Sequence, residues 1–239
     1  MGLFRRGNRD KNTQKRNTEA TAAAPTVTQE QLLNEAAASV LPGFRTKAEA
    51  IDSVRENLEL PLEDQRVEQT VEDVWARRIA EQTTWVGESD YEKLRLAFED
   101  LGEQGVIARM DFTCCQTCGT DEIDDERTPI EVAEGYPFLE REYTFFHRQD
   151  ADRLADDPAQ LFLTYSSWRP ADDIDPQLLE MARAGDEDAR SEVVVLTDTG
   201  VGQRVSAALR SRGLDVRWDE DVKNRIAVQI TDWRKPLPA

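Results

Sequence analysis

From residue 28 to about residue 104, apolar side chains recur every three or four positions, the period of helices buried along one face. Thr28 and Gln31 form a Thr-x-x-Gln capping box ahead of Leu32, Leu33 and Ala36, and Pro42-Gly43 stops that helix. Thr46 and Glu49 open a second helix with Ile51, Val54 and Leu58 on one side, broken at Pro61. Val67, Val71, Val74, Trp75 and Ile79 mark a third. Ser89 and Glu92 cap a fourth, striped by Tyr91, Leu94, Phe98 and Leu101 and ended by Gly102 and Gly105.

After Gly105 the period drops to two, as in a strand. Residues 106–112 alternate, which predicts Val106, Ala108, Met110 and Phe112 on one face. Residues 143–147 and 161–165 read as further strands, with a small acidic helix at 150–155 between them. Thr128-Pro129-Ile130-Glu131 reads as a capped helix start cut short by Gly135 and Pro137. Asp175 and Pro176 open another helix, with Gly185 after its end. Residues 192–196 are nearly all apolar, as in a strand buried on both faces. Thr197–Gly202 then reads as a turn into a helix carrying Val201, Val205, Ala208 and Leu209. Residues 214–218 and 226–230 are the last strands, with Trp233 closing the core.

This pattern predicts an α/β fold, with α+β as the alternative: a mixed sheet with short crossover helices, preceded by a helical N-terminal region. The expected divisions are a disordered basic leader at 1–27, a helical region at 28–104 and an α/β domain at 105–239. Whether the helical region packs on the α/β part is left open by the pattern.

Composition narrows the setting. The chain of 239 residues is long enough to bury a sizeable core, with 39% hydrophobic and 33% charged residues. No apolar run reaches the roughly 18–20 residues that span a bilayer. The basic start, Met1-Gly2-Leu3-Phe4-Arg5-Arg6, has no apolar core behind it, so no secretory signal is read. A cytoplasmic location is therefore expected, where thiols stay reduced. The net charge is −18, but Arg5, Arg6, Arg9, Lys11, Lys15 and Arg16 against Asp10 leave the leader basic. Subtracting that leader leaves about −23 on the body. Such a body repels nucleic acid and suits a basic protein partner.

Candidate chemistry gathers in one place. Cys114, Cys115 and Cys118 are all the cysteines, and His147 is the sole histidine. The cysteine loop leaves the carboxyl end of the first strand, and His147 sits at the carboxyl end of the second. If those strands are parallel neighbours, loop and histidine meet at the sheet edge where ligands bind in open α/β sheets. Cys115 and Cys118 have the spacing of a zinc knuckle, and Cys114 with His147 would complete a Cys₃His set. No second Cys-x-x-Cys repeats the pair. A dithiol redox pair is the next reading, weakened because no strong helix is predicted to start before Thr128. A nucleophilic cysteine with His147 as base lacks a third group to orient the imidazole. Plain packing of small buried cysteines is the remaining reading. Elsewhere, the glycines of Thr197–Gly202 would let backbone N–H groups hold an anion, although a helix cap by Asp198 or Thr197 explains them more simply. The acidic runs at 124–126, 172–173, 186–188 and 219–221 lack the calcium-loop pattern and read as solvated loops.

The residues Ala108–Gly119, the strand ending Phe145-Phe146-His147 with Arg148-Gln149-Asp150 after it, and Leu161–Tyr165 resemble a bacterial family of domains of unknown function with a Phe-Thr-Cys-Cys-x-x-Cys-Gly motif. The closing pattern from Val205 through Trp218 and Ile226 to Asp232-Trp233-Arg234-Lys235 is similar too. The resemblance covers roughly residues 65–237 and leaves out the N-terminal region. It implies no activity, and no catalytic residue can be carried over from it.

Overall fold

Three capping boxes start the chain's first helices. Thr28, Thr46 and Ser89 each accept from the backbone N–H three residues on, while Gln31, Glu49 and Glu92 reach back. The helices so begun are α1 (Gln29–Val40), α2 (Lys47–Asn57) and α4 (Asp90–Glu103). Between the last two runs α3 (Arg66–Gln82), which has no side-chain cap. The computed structural model describes residues 27–238, and nearly all of the expected leader lies outside the described residues.

Helices α1–α3 bury Leu32, Val40, Val54, Val71 and Trp75 in a core of their own, joined by Leu237 from the far end of the chain. Helix α4 belongs to a different core: Leu94, Ala97, Phe98 and Leu101 pack with residues of the sheet. The two parts are stitched together. Buried Arg78 donates to Leu41 O at 3.2 Å and Trp233 O at 2.9 Å, and Trp233 Nε1 donates to Pro42 O at 3.0 Å. Arg45 grips Asp152 across the same seam. The helical region therefore packs directly on the α/β part.

The sheet has five strands in the order β1-β2-β3-β5-β4: β1 (Val106–Arg109), β2 (Glu142–Phe145), β3 (Ala159–Ser167), β4 (Asp215–Arg217) and β5 (Ile226–Ile230). Strands β1 and β2 are parallel and the other pairs antiparallel, so the expected mixed sheet is present. Between β1 and β2 lie α5 (Gln116–Glu122) and a 3₁₀ turn at Ile123–Glu126. After β2 come α6 (Arg148–Ala151) and a second 3₁₀ turn, where one acidic helix was expected. Helix α7 (Pro176–Arg183) is capped by Asp175 as read from sequence, and α8 (Glu187–Ser211) follows it. Helices α4 and α8 cover one face through Val106, Leu161, Leu163, Val201, Val205 and Val228. On the other, Ile107, Tyr143 and Phe145 meet Ile123 of the crossover.

Three expectations are corrected. Residues 192–196 are not a strand but part of α8, where Val194, Val195 and Leu196 are exposed and only Val193 turns inward. A short β-branched run fits either element, and the capping carboxylate of Asp186, accepting from Ala189 N at 3.0 Å, decides for the helix. Thr128–Glu131 starts no helix; Pro129 bridges Phe138, with Ile130 N donating to Pro137 O at 2.9 Å. The alternation after Gly105 ends early. Asp111 has φ of +50°, so Phe112 lands with Ile107 and Phe145, away from Val106, Ala108 and Met110.

Candidate metal centre

The cysteine loop is bent by its own backbone and pinned to the next strand. Asp111 and Thr113 both take left-handed φ, +50° and +57°, which is costly for a β-branched residue such as Thr113. Hydrogen bonds hold the bend. Phe112 N donates to Phe146 O at 2.9 Å, and Arg148 N donates to Thr113 O at 3.1 Å. The Arg148 guanidinium clamps the Asp111 carboxylate with Nε at 3.3 Å and Nη2 at 2.9 Å. The loop thus reverses at a fixed point beside the start of α6.

Cys115 immediately precedes α5, and Cys118 lies in its first turn. One helical turn therefore offers Cys118 back toward Cys114. The Cys114 and Cys118 sulfurs are 3.4 Å apart, and all three sulfurs lie within 4.8 Å of one another. A tetrahedral zinc with Zn–S near 2.3 Å holds its sulfurs about 3.8 Å apart, so small side-chain shifts would fit the set to a metal. Gly119 explains the end of the motif. A Cβ there would stand 2.5 Å from Cε2 of Phe145, so only glycine lets α5 lie against that ring.

The sulfurs perturb one another. Hydrogen bonds that the Cys118 S–H gives to the Cys114 and Cys115 sulfurs, and then the like charge of those sulfurs, push the Cys118 thiol up to about 12. Cys115 is moved the other way, chiefly because the Cys118 backbone N–H faces its sulfur, although the contact falls short of a formed cap hydrogen bond. Cys114 is exposed, and the other two are half-buried. They are accessible thiols, not core packing.

His147 behaves differently. Strands β1 and β2 are the parallel neighbours that the edge argument required, yet the imidazole does not join the sulfurs. It is 5% exposed, and its Nε2 lies 3.0 Å from Asp150 Oδ2. Asp150, itself buried, is held in turn by Arg225. Burial lowers the His147 pKa, with Asp150 opposing. So a third group does orient the imidazole, and it is Asp150, three residues on. Its signal in the sequence was a carboxylate one helical turn after the histidine, and a distant arginine gave none.

The other sequence-read features resolve as structure. The objection to a dithiol that no helix starts at the motif fails, since α5 begins at Gln116. Thr197–Gly202 lies inside α8 and is no turn, so its glycines cradle no anion. Gly202 instead faces Trp218, whose Cη2 would lie 2.3 Å from a Cβ at that position. Among the described residues, the three cysteines are the one metal-compatible group of His, Cys, Asp or Glu side chains. No helix among them is long and apolar enough to cross a membrane.

Fold and site together define a mixed α/β domain with a cysteine triad on its first crossover. The model of the family Domain of unknown function (DUF6891) matches residues 25–237, and the chain belongs to that family. The match also takes in α1 and α2, which the resemblance had left out. No curated protein and no solved structure matches the chain.

Proposed function

We propose that this chain is a non-enzymatic, cytoplasmic binding protein whose Cys114, Cys115 and Cys118 hold one thiophilic metal ion, zinc in the first instance. The observation that carries this reading is the convergence of all three sulfurs within 4.8 Å on an accessible, rigidly pinned loop. Structural zinc sites close with four protein ligands, whereas three ligands leave a position open for water or an incoming group. His147 is committed to Asp150, so the fourth position belongs to something outside the chain's own imidazole.

The surroundings favour a cation. A cleft of about 600 Å³ opens beside Cys114, with Glu49, Asp52, Glu56 and Asp152 on its walls. Its arginines, Arg45 and Arg148, are neutralised by Asp152 and Asp111. The acidic body supports a basic protein partner over nucleic acid, since a long polyanion would meet net repulsion along its length.

A redox reading has one observation of its own, the 3.4 Å approach of the Cys114 and Cys118 sulfurs. One experiment separates the two. Full-length protein purified under reducing conditions without chelator should carry about one zinc per chain, bound through thiolates. Cobalt substitution should give sulfur-to-metal absorption. Cys118→Ser should remove the metal, and His147→Ala should leave it bound. Metal-free protein that readily forms a Cys114–Cys118 disulfide would replace this reading with the redox one.

A further inference from the structure

We propose a second site, remote from the cysteines, in which three arginines bind a small oxyanion of the phosphate class. A polar cleft of about 390 Å³ lies between the end of α4, the start of β2, the loop after β3 and the middle of α8. Arg141, Arg169 and Arg204 enter it from three separate segments. In a chain of net charge −18, gathering three guanidiniums in one cleft works against the average field.

These arginines are lightly held. Several arginines of the fold grip a carboxylate with two nitrogens. Arg45 does so with Asp152, Arg148 with Asp111, Arg212 with Asp100 and Arg225 with Asp150. The cleft arginines do not. Arg141 reaches Asp172 through Nη1 alone at 2.7 Å, and Arg204 reaches Glu142 through Nη1 alone at 2.6 Å. Among the described residues the Arg169 guanidinium has no ion pair; its Nε is shut off from solvent without a partner, and its head lies 5.5 Å from the Tyr136 ring centroid. A guanidinium carries five N–H donors, so most of the donors in this cleft are uncommitted. Forked planar donors match phosphate oxygens, and a stacked, desolvated arginine binds them more firmly than an exposed one.

The cleft's own carboxylates set the terms of binding. Glu142 and Asp172 are each held by one contact, and Asp173 is exposed at the rim, so the six charged groups balance. The Asp172 carboxylate is 77% exposed and can swing into water at little cost when a dianion takes its place on Arg141. The ligand is therefore one that outcompetes a single surface carboxylate, as a phosphate dianion does against three guanidiniums.

Calorimetry on the full chain with inorganic phosphate, against chloride at equal ionic strength, tests the site. The expected result is saturable binding of one phosphate per chain, with a raised melting temperature. Arg169→Gln and Arg204→Gln should each weaken it by about tenfold or more, the loss of one charge-assisted contact. Cys118→Ser should bind phosphate as the parent does, which keeps this site independent of the metal reading. Arg204 lies on the surface, so its variant decides the matter if Arg169→Gln fails to fold. Absence of saturable phosphate binding, or equal affinity in a folded Arg204→Gln protein, would overturn the proposal.

Discussion

Gly119 lies against the ring of Phe145 so closely that a methyl group at position 119 would stand 2.5 Å from Cε2 and 2.7 Å from Cζ. The last residue of the cysteine motif is thus a packing residue. It sets how near α5 comes to the sheet, and thereby where Cys115 and Cys118 stand relative to Cys114.

Gly119→Ala should therefore act on both the fold and the triad. Overpacking of this kind costs about 1–3 kcal/mol, because Phe145 is fully buried and has little room to move. Urea unfolding should report the loss, and metal titration should show weaker binding as α5 is pushed outward. Phe145→Leu in the same chain should restore part of each. An unchanged midpoint and affinity would mean that the ring yields freely.

Gly202 offers the same test with two effects opposed. Alanine in the middle of a helix gains about 1 kcal/mol over glycine. Here the new methyl would meet the Trp218 ring at 2.3 Å, with the indole packed on the core and edge-on to Tyr165. The clash should win, and Gly202→Ala should lower stability and shift the Trp218 fluorescence. A stabilised variant would show that the indole rotates away cheaply.

The run at 192–196 gives a prediction on which helix and strand disagree. In α8, Val195 is 44% exposed, so Val195→Lys should stay within about 0.5 kcal/mol of the parent. Val193 is 7% exposed, and Val193→Lys should cost about 2 kcal/mol or more. Chemical denaturation of the two variants measures the contrast. Equal losses would return the segment to a strand buried on both faces.

Asp90 gives a pH-dependent prediction. Burial pushes its carboxyl up, but the N–H groups of Thr231 and Asp232 and the Lys93 ammonium outweigh burial and hold it below its usual value. A lowered folded-state pKa contributes stability above the unfolded value of 3.8, lost as pH falls through the folded one. Asp90→Asn should cost about 2 kcal/mol near neutrality, and the two proteins should converge below about pH 4. A constant gap across that range would mean that the charge contributes nothing.

Much of this was legible in the residues themselves. The boxes at Thr28, Thr46 and Ser89 are local chemistry, complete within four residues, and all three form. Ile226–Ile230 shows itself through its apolar, β-branched run. The failures came where local preference and tertiary context disagree. Three valines in a row favour a strand, and the glycines at 200 and 202 resemble a loop, yet both lie in one helix that Asp186 caps and that packs Gly202 against Trp218. At the site, the clustering of Cys114, Cys115 and Cys118 follows from their spacing on one turn. The diversion of His147 to Asp150 depends on Arg225, seventy-five residues away from that carboxylate, which periodicity cannot report.

Helix α8 has one further consequence. At 1.5 Å per residue its 25 residues run about 37 Å, while β4 and β5, near its second half, hold only 3 and 5 residues. Val201, Val205 and Leu209 join the main core while Ala189 and Val193 do not, and α7, which has no fully buried residue, packs against that first half. Helices 176–183 and 187–196 thus form a unit with little of the core beneath it. Its amides should exchange with solvent deuterons by a partial opening well below the global unfolding energy, while those at 201–209 wait for the whole molecule to unfold.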